Sequence, residues 1–66
     1  MSVKEAMYNT ALAEFHSQRD KAIATARIYL EHPVGIGEHP QVIDEFIKQI
    51  KIAAESEEAA SMLVDT

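Results

Sequence analysis

Sixty-six residues with a formal net charge of −5, no Cys and no Trp amount to at most one domain, close to the lower size at which an apolar core stands alone. Without Cys there is no disulfide staple, which fits a reducing compartment; no apolar run reaches the ~18 residues of a membrane span, and Lys4 and Glu5 are followed by no signal-type apolar stretch, so a cytoplasmic protein is expected. Residues 1–32 balance their charges, the second half carries the whole excess of acid with only Lys48 and Lys51 against it, and nucleic acid, which needs clustered Lys or Arg, is excluded as a partner.

The chain opens on Ser2-Val3-Lys4-Glu5, which reads as a capping box. The Ser2 hydroxyl accepts from the Glu5 backbone N–H while the Glu5 side chain returns to the N–H of Ser2. From there to Glu31 no Gly or Pro intervenes, and Ala6, Ala11, Ala13, Ala22, Ala24 and Ala26 favour helix. The spacing predicts a helix over 3–31, about 45 Å long, too long for an isolated globule of this size and suited to a bundle. Tyr8, Leu12, Phe15, Arg19, Ala22, Ala26 and Tyr29 follow one another at steps of four and three, widened by Ile23 and Leu30, with Arg19 as the one charge in the stripe.

The corner is the run from Glu31 to Pro40, which holds both Gly and both Pro of the chain. Pro33 turns His32 away from helical geometry and ends the first helix. Gly35 and Gly37 supply positive φ for the reversal, and Pro40 suits the first position of a second helix. A loop over 32–39 is therefore expected to join antiparallel neighbours. The triplet Glu-His-Pro occurs twice here, so Glu31, His32, Glu38 and His39 are candidate ligands for Zn²⁺ or another divalent ion. Helix-stop and helix-start chemistry accounts for the same residues without a metal, and the primary expectation is no metal and no cofactor.

The run Ala26-Arg27-Ile28-Tyr29-Leu30-Glu31-His32-Pro33-Val34-Gly35-Ile36-Gly37-Glu38-His39-Pro40, about a quarter of the chain, resembles a segment of small uncharacterised helical proteins of tailed phages, cyanophages especially. The resemblance implies a viral origin, expression in the cytoplasm of an infected host cell, and a loop that docks a host or phage protein. It brings no activity and no functional residue.

The second helix is predicted over 40–64, with a seam of Ile43, Phe46, Ile50, Ala53, Glu57, Ala60 and Val64 flanked by Ile47, Ala54 and Leu63. Its acidic end, Glu55, Glu57, Glu58 and Asp65, reads as a solvated face; mimicry of nucleic acid is the sharper alternative. Folding the hairpin so that Leu30 lies level with Phe46 places Ala26 by Ile50, Ala22 and Ile23 by Ala54 and Ala53, and Leu12 by Val64. The same register brings Arg19 level with Glu57, so a structural ion pair is expected within or at the edge of the interior, fixing alignment. Met1, Val3 and Met7 then have nothing opposite them, and Ile28 and Ile52 fall outside the seams. Met7, Ile28 and Ile52 are thus the expected oligomer interface of a twofold dimer forming a four-helix bundle.

Catalytic patterns are missing from the sequence. Gly35-Ile36-Gly37 follows no strand and completes no nucleotide fingerprint. The Glu-x-x-His pairs of di-iron bundles are absent, His16 and Asp20 read as an exposed i, i+4 contact rather than ligands, and Ser17, Ser56 and Ser61 lack a base at helical spacing. The expectation is an all-α antiparallel two-helix hairpin of one domain, not an enzyme, with no catalytic residue. Its role is that of a homo-oligomeric interaction or structural module, an accessory or regulatory factor if viral. The alternative is a metal- or small-ligand-binding protein that uses the loop His and Glu residues.

Overall fold

The structure, a computed structural model, describes residues 2–32 and 40–66. The described residues form two helices, α1 (Val3–Glu31) and α2 (Pro40–Val64), which pack against each other. The expected reversal at 33–39, with Glu38 and His39, lies outside the described residues, as does Met1.

Each described helix end follows from local chemistry. Ser2 is extended (φ −79°, ψ 163°) and its Oγ accepts from the Glu5 N–H at 3.1 Å, while its carbonyl accepts from the Ala6 N–H at 3.0 Å. The returning arm of the box differs from expectation: the Ser2 hydroxyl itself donates to Glu5 Oε1 at 3.4 Å. At the other end His32 leaves helical geometry (φ −124°, ψ 66°) directly before Pro33, and its N–H still reaches the Ile28 carbonyl at 3.1 Å. α2 starts on Pro40, where the missing N–H is no loss. It ends as Asp65 N–H donates to the Ser61 carbonyl and the Thr66 hydroxyl to the Met62 carbonyl.

The helices run antiparallel. Tyr29 and Leu30 line one hollow with Val42, Ile43 and Phe46, and His16 lines another with Glu57, Ala60 and Val64, so rising numbers on α1 meet falling numbers on α2. The seam on α1 is the expected one in its central half, where Ala22 and Ala26 are buried and Phe15, Arg19 and Tyr29 half-buried. On α2 the seam is rotated by one position. Val42, Phe46, Gln49, Ala53, Ser56, Ala60 and Leu63 face inward to differing degrees, with Ser56 and Ala60 buried, whereas Ile43, Ile50, Glu57 and Val64 are exposed. The rotation has a steric cause. Small side chains at Ala22, Ala26, Ser56 and Ala60 let the two backbones approach closely, and a row of β-branched Ile at the contact would hold them apart.

Close approach of small residues makes a thin core. Among the described residues none of the large side chains is fully buried. The chain extends 52 × 17 × 13 Å with a radius of gyration of 15.5 Å, against about 11 Å for a compact chain of this length. α1 also outreaches α2: a shallow apolar hollow is lined by α1 residues alone, Val3, Ala6, Met7, Thr10, Ala11 and Glu14. Tyr8, expected in the seam, lies on this overhang and is exposed.

Candidate protein interface

The rotation of α2 decides which residues reach the surface. Ile43, Ile47, Ile50 and Ala54 recur at steps of four, three and four, so they form one stripe along the helix, and all four are exposed. Across the seam, Leu30 of α1 joins them, because Leu30 and Ile43 line the same hollow beside Phe46. Leu30 was expected to widen the internal stripe; it is 63% exposed, and Ile43, Ile47 and Ile50 are 46%, 47% and 47% exposed. The corner half of one edge of the hairpin is therefore a continuous apolar strip.

That strip ends in a charged cluster. Arg19 Nη1 donates to Glu57 Oε2 at 2.7 Å, and Arg19 Nε donates to Asp20 Oδ1 at 2.9 Å. The structure thus brings Arg19 and Glu57 together, level as the register requires. Glu57 stands on the rim rather than in the interior: the Arg19 side chain is 27% exposed and that of Glu57 57%. The hydrogen bonds to Asp20 first, then to Glu57, hold the Arg19 guanidinium above its ordinary value. Asp20 was read as the partner of His16, one turn away. Its Oδ1 is instead engaged by the adjacent Arg19, the closer and charged donor.

The residues expected at an oligomer interface are dispersed. Met7 and Ile28 are exposed on α1, and at the heptad steps between them stand Glu14 and Lys21, so they belong to no common apolar stripe. Ile52 is not outside the seam. It is half-buried on the opposite edge, where it lines a hollow with Gln18, Lys21, Ala22, Thr25 and Gln49; the rotation that carries Ile50 outward turns Ile52 in. Gln18, Lys21, Thr25 and Gln49 interrupt that edge, in contrast to the Ile43–Ile47–Ile50 edge.

Of the loop ligand candidates, Glu31 and His32 are exposed at the end of α1. Among the described residues no group of three or more His, Cys, Asp or Glu side chains is placed to hold a metal ion, and no helix is long and apolar enough to cross a membrane. Two features escaped the sequence reading, the burial of Ser56 and the Arg19–Asp20 bond between adjacent residues. A Ser among Ala53, Ala59 and Ala60 is the signal for the first, since small residues cluster where helices touch. No protein-family model, curated protein or solved structure matches the chain.

Proposed function

We propose that the protein is a non-enzymatic interaction module, a helical hairpin that works by burying its exposed apolar edge against another copy of itself. The observation that carries the reading is the surface left over after the hairpin closes. The chain exposes 5168 Å², whereas a compact monomer of its mass exposes about 4,200 Å². Among the described residues Ala22, Ala26, Ala60 and Ser56 are the buried ones, which is little apolar area to offset the ordering of so many residues. Association supplies what the single seam lacks, with a four-helix bundle as its form. The resemblance of residues 26–40 to tailed-phage proteins suggests the setting, an accessory or regulatory factor in the cytoplasm of an infected cell.

Sedimentation equilibrium over micromolar concentrations tests the reading. The expected mass is a multiple of 7.3 kDa, with helix content that falls on dilution. A single folded chain at 7.3 kDa throughout that range overturns it.

A further inference from the structure

Resting on the self-association reading, we infer that the second copy docks on the edge formed by Leu30, Ile43, Ile47 and Ile50, and not on the Met7–Ile28 side of α1. Three observations converge there. The first is continuity: these side chains and Ala54 form an unbroken strip across both helices, whereas Met7 and Ile28 are separated by Glu14 and Lys21. The second is area. Over the whole chain the surface in excess of a compact monomer is on the order of 1,000 Å², close to the ~800 Å² that each partner of a standard interface gives up, so one further contact with a second copy accounts for it.

The third observation is the order of chemistry along the edge. Apolar residues occupy its corner half, and the Arg19–Asp20–Glu57 cluster, internally paired and partly solvated, closes it off. An apolar centre with a satisfied polar rim is the anatomy of a protein interface. A twofold contact sets the same patch against itself, so aliphatic surface meets aliphatic surface with no second sequence required. The opposite edge, with Gln18, Lys21, Thr25 and Gln49 beside Ile52, offers no such match.

The test is sedimentation of the full chain and of Ile47→Glu, Met7→Glu and Ile28→Glu. Ile47→Glu is expected to weaken association at least about 30-fold, as loss of a central interface residue does, while the other two stay within a few-fold of the parent. A dimer indifferent to Ile47→Glu and broken by Met7→Glu or Ile28→Glu overturns the choice of face and leaves self-association standing. A parent chain that is a folded monomer, or that associates only with a different protein, overturns both. Should Ile47→Glu lose its helical signal, spin labels decide, since the chain has no native Cys. Labels on Ile47→Cys should lie closer to each other across the dimer than labels on Ile28→Cys, and the reverse order overturns the assignment.

Discussion

Arg19 and Glu57, 38 residues apart in sequence, meet at 2.7 Å across the hairpin, and they do so from its rim. The pair bridges the helices without being buried between them, because the neighbouring Ser56 takes the inward position on α2.

A double-mutant cycle with Arg19→Met and Glu57→Met should therefore give a coupling in the range of exposed pairs, one that fades in molar salt. Coupling unaffected by salt would place the pair in the interior. Arg19 also adds no pH dependence near neutrality. Its value is raised in the folded state, so its contribution is full below the unfolded value and lost only as pH climbs through a still higher one.

Ala26→Leu should destabilise the hairpin by about 1–3 kcal/mol, since a larger side chain at a buried seam position pushes the helices apart. Ser56→Ala should be neutral or slightly stabilising, given the better helix propensity of Ala and the continued small size at the contact. Denaturant unfolding at one fixed protein concentration measures both. A large loss for Ser56→Ala would mean that its hydroxyl holds the helices together.

Ser2→Ala removes the acceptor of the Glu5 N–H and should cost about 1 kcal/mol of local helix stability. The overhanging first turns of α1 have no α2 opposite them, so the effect should appear as faster amide exchange at Glu5 with little change in the overall melt. Unchanged exchange would show that the cap does not form in solution.

Thermal melts with added Zn²⁺ and with chelator should superimpose, since helix-stop and helix-start chemistry accounts for the two Glu-His-Pro triplets without a metal and the chain offers no Cys ligand. An upward shift that grows with Zn²⁺ concentration would restore the ligand-binding alternative.

The helix ends were legible because Ser2, Pro33 and Pro40 are punctuation whose effect is local. The rotation of α2 was not. Its apolar residues span a broad arc, Ile43, Ile47, Ile50, Ile52, Ala53 and Ala54 among them, so two seams one position apart satisfy the same periodicity. Hydrophobicity favours the larger Ile row, and the preference of two backbones for close contact chooses the row of Ala and Ser. The exposed apolar residues followed that choice, which turned Ile52 inward and Ile50 outward. The Arg19–Glu57 partnership survived because a long guanidinium reaches a carboxylate from either rotation.

The slender outline has a practical bearing on how copies are counted. A body three times longer than it is wide drags on solvent more than a sphere of equal weight, so gel filtration will make even a solitary molecule look heavy. Only methods that weigh the particle, light scattering or equilibrium in a centrifugal field, can say how many molecules travel together.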